Sequence, residues 1–363
     1  EKKNLIKNMK KILITTGGTG GHVIPAEIIS EHLNNNYEVF FTTDLRGHKY
    51  LKSEKNKLKL IDTPKFNINF FLPLKIIKLF YLIIFSFFYL KKEKIIKVIS
   101  TGGYMSLPIC IAAKFIGLEI YLLEPNLTLG RANKFFLNFS KKIICYSNDL
   151  KNFPEKFKNK IVLIKPLVFK NFYQIKKKDG LDNKKLSLLI FGGSQGANIF
   201  DTLFNKALVN INKIQPLKVI QQTSIKNIEN LRNFYNQNKI ENKIFNFEKN
   251  FIELINQSDL CISRAGANSL AEISFMNKPF IVIPLPTAKD DHQMVNAKFY
   301  EKAGCCWILN QKNLNYEKIT NLLLKIVKDK SEYINKKENL KKLNYQNSWN
   351  DINQKINKII NEN

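Results

Sequence analysis

Arginine is scarce in this 363-residue chain: only four of the 58 basic residues are arginine, and the rest are lysine. A protein that reads nucleic acid is expected to use the forked guanidinium for bidentate contacts with bases and phosphates. The lysines, which carry a formal net charge of +28, are spread along the chain and indicate a drift in composition more than one designed patch. We therefore expect no nucleic-acid partner, although such a charge attracts the protein to an anionic inner-membrane surface.

Cysteine pairs with metal-binding spacing are also lacking. The pattern favours reduced cysteines in the core of a cytoplasmic protein over disulfides or a metal site. The first eight residues have neither the apolar core nor the cleavage site of a signal peptide, so Met9 is a candidate native start. The five cysteines stand in apolar stretches without a C-x-x-C motif: Cys110, Cys145, Cys261, Cys305 and Cys306.

Phe70–Leu90 (FFLPLKIIKLFYLIIFSFFYL) is strongly apolar. Its uninterrupted part, Leu79–Leu90, would be about 18 Å long as a helix, whereas a membrane span needs ~30 Å. Its large side chains cover more of the helix than one packing stripe requires. We predict a helix that lies against the bilayer, with a buried core helix and a transmembrane span as alternatives. Four lysines would meet anionic head groups: Lys75, Lys78, Lys91 and Lys92.

Short, branched apolar runs alternate with longer helical patterns, which is typical of βαβ units and parallel sheets. The length suits two domains. The first series of predicted strands comprises Lys11–Thr16, Glu38–Thr42, Lys97–Thr101, Ile120–Leu123 and Lys142–Tyr146. The second series comprises Leu186–Phe191, Leu217–Gln221, Lys243–Phe247, Leu260–Ser263 and Phe280–Ile283.

Both series open with a strand that runs into a glycine-rich turn and then a helix: KILITT-GGTGGH at 11–22 and LSLLIF-GGSQGA at 186–197. Doubly wound domains bind ligands at such strand ends. We predict an α/β fold with two doubly wound Rossmann-like domains that face each other across a cleft. The first domain would span 9–165, with the helix 347–363 packed back on it, and the second 166–346.

The two turns and the segments after later strands carry the candidate chemistry. Helix-start amides in the first turn suit anionic or polar groups, and His22 is a candidate base because an ordinary histidine titrates near neutral pH. In the second turn, Ser194 sets a hydroxyl beside backbone amides, which favours a diphosphate. Glu272 could accept both hydroxyls of a ribose, or be an ordinary solvated glutamate. We expect neither a metal nor a cofactor, although Asp290-Asp291 forms an acidic pair.

Six motifs in this order resemble the MurG family: GGTGGHVIPA (17–26), GGYMSLP (102–108), EPNLTLGRANK (124–134), GGSQGA (192–197), SRAGANSLAE (263–272) and KDDHQMVNA (289–297). The resemblance implies a GT-B fold and an inverting transfer of GlcNAc from UDP-GlcNAc to the 4-hydroxyl of MurNAc in undecaprenyl-linked lipid I, which gives lipid II. It also implies a peripheral position on the cytoplasmic face of the inner membrane. Other cell-wall synthesis and division proteins are further expected partners.

On the acceptor side, the resemblance implies that Thr19, Gly20 and Gly21 line the site. His22 would be the base, and Glu124 is a second catalytic candidate. Tyr104, Asn126 and Asn133 would line the same region, with Asn126 near the donor sugar.

On the donor side, the resemblance assigns the diphosphate to Ser194 and uracil to the backbone around Phe247, Glu248 and Phe251. Gln293 and Asn296 would reach GlcNAc hydroxyls. The nucleotide would lie against a set of residues around one strand end and the following helix: Arg264, Ala267, Asn268, Ser269, Leu270, Ala271 and Glu272.

The chain also departs from the family pattern. Leu123 replaces a histidine, Pro125 follows Glu124, Val168 stands near an expected arginine, and Asp201 replaces an asparagine. The donor motifs are thus better preserved than the acceptor motifs. Another UDP-sugar transferase that acts on a glycolipid, or a non-catalytic envelope scaffold, remain the alternative functions.

Overall fold

The computed structural model describes residues 9–51, 57–64, 70–178, 184–193 and 198–362. It divides the chain into two compact units. Unit 1 runs to Lys170 and also includes Asn347–Asn363, and unit 2 comprises Asn171–Gln346.

Unit 1 begins with alternating strands and helices. These are β1 (Lys11–Thr15), α1 (Gly20–Leu33), β2 (Glu38–Thr43), α2 (Leu45–His48), β3 (Leu58–Leu60), α3 (Leu72–Lys92), β4 (Ile95–Ser100), α4 (Leu107–Ile116), β5 (Glu119–Glu124), α5 (Arg131–Phe136), β6 (Lys142–Cys145) and β7 (Ile161–Leu163).

Unit 2 repeats the alternation, and the last helix of the chain returns to unit 1. The elements are β8 (Leu186–Phe191), α6 (Asn198–Asn212), β9 (Leu217–Gln222), α7 (Ile228–Gln237), β10 (Glu241–Phe245), α8 (Phe251–Gln257), β11 (Leu260–Ser263), α9 (Ala267–Phe275), β12 (Phe280–Val282), α10 (His292–Lys302), β13 (Cys306–Ile308), α11 (Tyr316–Lys328), α12 (Lys330–Leu343) and α13 (Trp349–Asn361).

Each unit is built on one parallel sheet. The strand order is β3-β2-β1-β4-β5-β6-β7 in unit 1 and β10-β9-β8-β11-β12-β13 in unit 2. The order reverses beside β1 in the first sheet and beside β8 in the second, so each glycine-rich turn follows a strand at a topological switch point, where doubly wound sheets bind ligands. The predicted doubly wound α/β fold is confirmed.

All ten predicted strands are present, with ends shifted by at most two residues, and the structure adds β3, β7 and β13. Each added strand has only three residues and lies at the edge of its sheet. Three residues are too few to show a strand period in the sequence.

The two faces of the first sheet carry separate layers of core. Leu13 points to a cluster shared with α3 and α4, whereas its neighbours Ile12 and Ile14 point to a cluster shared with α1 and α13. Successive side chains of a strand face opposite sides, so a strand covered by helices on both faces is apolar throughout. The six residues of β8 are all buried for the same reason.

The C-terminal helix α13 packs on α1 through a stripe of buried isoleucines that includes Ile352, Ile356 and Ile359. Lys97 in β4 and Lys141, just before β6, donate hydrogen bonds to carbonyl groups at the C-terminal end of α13. Lys97 Nζ lies 2.5 Å from the carbonyl oxygen of Ile360, and Lys141 Nζ lies 2.7 Å from that of Glu362. Cations at a helix C-terminus also interact favourably with the helix dipole.

His32 is buried at the contact between α1 and α13. Its ring stacks on Trp349 with 3.7 Å between ring centroids, and its Nδ1 lies 3.3 Å from Asn353 Oδ1. Burial lowers the pKa of His32 from 6.5 to about 4, although the hydrogen bond to Asn353 acts in the opposite direction.

This lowered pKa predicts acid sensitivity at the helix contact. Between pH 6.5 and about 4 the unfolded chain protonates His32 and the folded chain does not. The free energy of unfolding should therefore fall as the pH drops through this window, by up to about 3 kcal/mol from this residue. Urea unfolding at a series of pH values measures the effect. His32→Phe should reduce the pH dependence and the exposed control His48→Phe should keep it; equal slopes in both variants would refute the assignment.

Candidate functional site

Three loops of unit 1 meet at the carboxyl ends of β1, β2 and β4. Asp44, the residue after β2, is 2% exposed, and its Oδ1 accepts hydrogen bonds from the amides of Gly18 and Gly47, each at 2.8 Å. The approach is close: a Cβ on Gly47 would lie 2.7 Å from the Cα of Gly17. Gly18 also has φ +82°, which favours glycine. The GGTGG turn is thus fastened to the loop after β2.

His22 lies in the first turn of α1, which begins after Thr19. Its Nδ1 is 2.7 Å from the carbonyl oxygen of Thr101. A carbonyl only accepts hydrogen bonds, so Nδ1 carries the proton, and the lone pair of a neutral ring is then on Nε2. A Cβ on Gly103 would lie 3.8 Å from that Nε2, which places the atom beside the loop after β4. This geometry suits a base whose tautomer is set by the protein.

Thr101 is itself held in place, because its hydroxyl donates to the hydroxyl of Thr16 at 2.8 Å. Tyr104 is in the same loop, and its hydroxyl is hydrogen-bonded to the Nη2 of Arg46. Asp44, Arg46 and Thr101 were not among the residues predicted for the site. The available signal was a polar residue directly after a buried strand, as Asp44 is after β2.

Glu124 ends β5 and is 2% exposed. Its carboxylate accepts hydrogen bonds from the Gly130 amide (2.8 Å), from Asn133 Nδ2 (3.0 Å), and from the amide and side chain of Asn126 (3.2 and 3.3 Å). Burial raises the pKa of Glu124, while these hydrogen bonds act in the opposite direction. A carboxylate enclosed by donors from its own loop shapes that loop, and its predicted catalytic role stays a prediction.

Two of the departures from the family pattern fall in the core. Leu123 and Val168 are 0% and 1% exposed. Leu123 belongs to the apolar layer under α1 and α13, on the opposite side of β5 from the one that Leu122 faces. Its replacement of a histidine therefore changes the core and does not remove a group that the structure presents to a ligand.

In unit 2, the turn after β8 lies beside the start of α9. Gly193 has φ +76°, and Cβ atoms on Gly193 and Gly266 would each lie 3.9 Å from the hydroxyl of Ser269. The amide of Gly192 is 3.3 Å from Gln222 Oε1. A hydroxyl and helix-start amides beside glycines form the kind of site that binds a phosphate. Ser194 lies outside the described residues.

The arginine predicted to contact the nucleotide makes contacts within unit 2. The Nη1 of Arg264 donates to the carbonyl oxygen of Ile283 (2.9 Å) and to Gln311 Oε1 (2.6 Å), and its guanidinium lies 5.6 Å from the ring centroid of Phe200. Burial lowers the pKa of Arg264. Its contact with nucleotide stays a prediction.

The helix after Arg264 presents only part of its predicted set. Ala267, Asn268, Ser269 and Glu272 are partly exposed on α9. Leu270 and Ala271 are 0% and 2% exposed, so their side chains belong to the core and only their backbone could meet a ligand.

The predicted sugar-binding amides tie two loops together. Gln293 Oε1 accepts hydrogen bonds from the amides of Ala265 (3.3 Å) and Leu285 (3.0 Å), and Asn296 Nδ2 donates to the carbonyl oxygen of Ala265 at 3.1 Å. Just before α10, Asp290 and Asp291 have φ of 52° and 57°. Consecutive left-handed aspartates cost backbone energy, and such strain is common at functional loops.

The predicted uracil-binding segment follows β10. Phe247 is 80% exposed, whereas the ring of Phe251 packs on Phe191 with 4.8 Å between ring centroids. Glu248 is paired with Lys243 at 2.9 Å. This pairing lowers the pKa of Glu248. Only Phe247 of these three offers a largely open side chain.

The Asp201 departure is accommodated by a polar network. Its Oδ2 accepts hydrogen bonds from Thr223 Oγ1 (2.6 Å) and Asn227 Nδ2 (2.9 Å), and its Oδ1 from Gln221 Nε2 (2.9 Å). The carboxylate thereby joins the first turn of α6 to the end of β9.

Among the described residues, no group of three His, Cys, Asp or Glu side chains is arranged to hold a metal ion.

Comparison with known proteins places these features in a family. Residues 12–145 match the glycosyltransferase family 28 N-terminal domain, and residues 187–355 match the C-terminal domain of the same family. The structure resembles the crystal structure of Acinetobacter baumannii MurG with a TM-score of 0.77 and 23% identity, covering 97% of this chain and 100% of that one. A Polygonum tinctorium UDP-glucosyltransferase has the same fold, with a TM-score of 0.72 at 12% identity over 98% and 99% of the two chains.

Two curated relatives are closer in sequence, and both are UDP-N-acetylglucosamine–N-acetylmuramyl-(pentapeptide) pyrophosphoryl-undecaprenol N-acetylglucosamine transferases. The protein of Pelagibacter ubique is 48% identical, over 98% of this chain and 99% of its own length. That of Rickettsia bellii is 35% identical, over 92% and 95%. The chain therefore belongs to glycosyltransferase family 28 and, within it, to the MurG family.

Proposed function

We propose that this protein transfers GlcNAc from UDP-GlcNAc to the 4-hydroxyl of MurNAc in lipid I, which yields lipid II for peptidoglycan synthesis. The observation that carries the proposal is the 48% identity, over almost the whole of both chains, to a transferase named for this donor and acceptor. The two glycine-rich turns at the switch points supply the matching chemistry. The identity to a relative named for this acceptor favours it over other glycolipids.

The His22 geometry supports the following reaction. Nε2 of the neutral ring takes the proton of the MurNAc 4-hydroxyl as its oxygen attacks the anomeric carbon of GlcNAc. The bond from that carbon to the UDP oxygen breaks, and its electron pair leaves with UDP. Attack opposite the leaving group inverts the anomeric centre. His22 becomes the imidazolium and returns its proton to solvent, while Thr101 keeps the ring oriented throughout.

In unit 2, the site around Ser269 would hold the donor. The amides at the start of α9 and the turn after β8, including Ser194, would hold the diphosphate and stabilise the negative charge that develops on UDP. Glu272 would bind the ribose, and Phe247 and its neighbours would bind the uracil. Gln293 and Asn296 would hold the loops that surround GlcNAc. We assign Arg264 and Glu124 as positioning residues, because their side chains are occupied by the protein's own loops.

Helix α3 supports a peripheral position on the membrane. Among the described residues, Leu72–Lys92 is the one helix that is long and apolar enough to cross a membrane. However, one face of it packs into unit 1 through Leu82, Ser86 and Leu90. The other face exposes large apolar side chains, each by more than half: Leu74, Ile77, Phe80, Tyr81, Ile84 and Phe88. A helix buried on one side and apolar on the other suits the surface of a bilayer.

Lysines surround this apolar face. At the C-terminal end of α3, a pocket of about 830 Å³ is lined by aromatic side chains, by Lys57, Lys59, Lys91 and Lys92, and by Glu93. Lysines beside exposed aromatics favour anionic head groups. We infer that the protein binds the cytoplasmic face of the inner membrane through α3. Cell-wall and division proteins as partners stay a prediction.

The acceptor is tested by direct transfer. Purified protein with radiolabelled UDP-GlcNAc should convert lipid I, and should leave diacylglycerol unmodified, when both are supplied in the same mixed micelles. Products are separated by thin-layer chromatography. Transfer to diacylglycerol alone would identify a different glycolipid transferase, and no transfer to either, by protein that binds UDP-GlcNAc, would favour the scaffold.

The role of His22 predicts a specific kinetic defect. His22→Ala should lower kcat by about 10²- to 10⁴-fold, the usual contribution of a general base, and change the KM for UDP-GlcNAc little. His22→Gln retains a donor for the Thr101 carbonyl but lacks a base, so it should be equally slow. Steady-state kinetics with both substrates give the values. Turnover at the wild-type rate in either variant would show that His22 is not the base.

The role of α3 predicts a separable loss of membrane binding. Replacing Ile77, Ile84 and Phe88 by serine should weaken binding to vesicles of phosphatidylglycerol at least about tenfold, since burial of each side chain contributes up to ~1.5–3 kcal/mol. The unfolding midpoint should change little, because these side chains are exposed.

A matched control removes three exposed apolar side chains from unit 2: Ile214, Ile225 and Tyr345. Cosedimentation with vesicles compares the two triple variants. Equal binding by both would contradict membrane docking through α3. A large loss of stability in the α3 variant, with normal binding, would instead indicate a core helix.

A further inference from the structure

Only four of the 58 basic residues are arginine, and two of them, Arg46 and Arg264, make several side-chain contacts. Arginine differs from lysine because its planar guanidinium presents five N–H donors in a fixed fork. Arg264 makes its contacts inside unit 2, where its Nη1 bonds a carbonyl and an amide oxygen and its guanidinium lies 5.6 Å from the ring centroid of Phe200. Arg46 also has two hydrogen-bonded neighbours, but it lies near the topological switch point of unit 1.

Two neighbours fix the orientation of the Arg46 guanidinium. Its Nε donates to Asp44 Oδ2 at 3.1 Å, and its Nη2 is hydrogen-bonded to the hydroxyl of Tyr104. The guanidinium also lies 5.6 Å from the centroid of the Tyr104 ring. Asp44 comes from the end of β2 and Tyr104 from the loop after β4, so Arg46 bridges the two loops on either side of the GGTGG turn.

The guanidinium lies over this turn and is open to solvent. The Cβ position of Gly18 is 4.0 Å from Arg46 Nη2, and 44% of the Arg46 side chain is exposed, compared with 2% for Asp44. The other oxygen of Asp44 is occupied by the amides of Gly18 and Gly47. The negative charge is therefore buried beneath the turn and the positive charge faces outward, and among the described residues Asp44 and Tyr104 engage two of the five N–H groups.

We propose that Arg46 binds the pyrophosphate group of the lipid-linked acceptor. This rests on the proposed function, in which His22, at the end of the same turn, takes the proton of the acceptor hydroxyl. The acceptor sugar carries this hydroxyl at C4 and the pyrophosphate at C1, so one loop cluster meets both ends of one ring. A preoriented guanidinium binds phosphate oxygens bidentately, which an ammonium group does not.

The first test compares two acceptors. Lipid I and an analogue with a single phosphate are assayed with wild type, Arg46→Gln, Arg46→Lys and the surface control Arg232→Gln. Arg46→Gln should raise the KM for lipid I at least about tenfold, leave the KM for UDP-GlcNAc unchanged, and lose most of the preference for pyrophosphate. Arg46→Lys should keep part of that preference, and Arg232→Gln all of it. An unchanged preference in Arg46→Gln would overturn the inference, since loop damage alone would impair both acceptors equally.

A second test does not depend on turnover. Inorganic pyrophosphate is titrated calorimetrically into protein saturated with UDP, so that the donor site is occupied. Wild type and Arg232→Gln should bind it, and Arg46→Gln should bind at least about tenfold more weakly. Equal binding, or none by wild type, would overturn the inference. Weaker binding by Arg46→Gln in a protein that transfers no sugar would instead show a pyrophosphate site at Arg46 and refute the proposed function.

Discussion

One buried carboxylate organises the site of unit 1. Asp44 receives the amides of Gly18 and Gly47 on one oxygen and the Nε of Arg46 on the other. Hydrogen bonds to a charged acceptor are stronger than neutral ones, and a buried carboxylate without them would be costly. The turn after β1 must therefore stay close to the loop after β2. That closeness in turn explains why glycine stands at positions 17 and 47: a Cβ on Gly17 would lie 2.8 Å from Asp44 Oδ1, and one on Gly47 would lie 2.7 Å from the Cα of Gly17.

A single hydrogen bond also determines which ring nitrogen of His22 carries the proton. The partner of its Nδ1 is the neutral carbonyl of Thr101. A carbonyl fixes the tautomer as firmly as a carboxylate does, but it gives less stabilisation to the imidazolium that forms during the reaction. In the proposed reaction, His22 would therefore act with modest electrostatic support from this carbonyl. The departure of UDP, which we propose is stabilised by helix-start amides in unit 2, would then supply much of the driving force.

The fold was largely predictable because its signals are local. An apolar strand, a glycine-rich turn and a helical pattern occur within one stretch of sequence, as in β1 with Gly17–Gly21 and in β8 with Gly192–Gly193. The edge strand β3 was missed because its three residues are one partly buried and two exposed, so it lacks both length and an apolar pattern. The site was less predictable. Asp44 and Gly18 are 26 positions apart, and His22 and Thr101 are 79 apart.

Residue type alone also could not separate groups that touch ligand from groups that position others. Glu124 has the chemistry of a catalytic acid or base, yet its burial and its donors from Gly130 and Asn133 make it the centre of a loop. Leu270 belongs to a ligand-binding motif by sequence, yet its side chain is fully buried. Both distinctions depend on the packing of the neighbouring loop or helix, which only the folded chain determines.

The lysine-rich composition separates positions that need only a positive charge from positions that need the shape of arginine. Surface lysines can accumulate because an exposed charge pair contributes little to stability, so many positions tolerate them. A position that needs a planar fork of N–H donors is different, because an ammonium group has no such fork. Arg46 meets this condition, since its Nε and Nη2 contact Asp44 and Tyr104. The glycines meet a similar condition for a steric reason. The geometry of the contacts therefore defines which residue types these positions need, whereas an exposed lysine is not tied to one position.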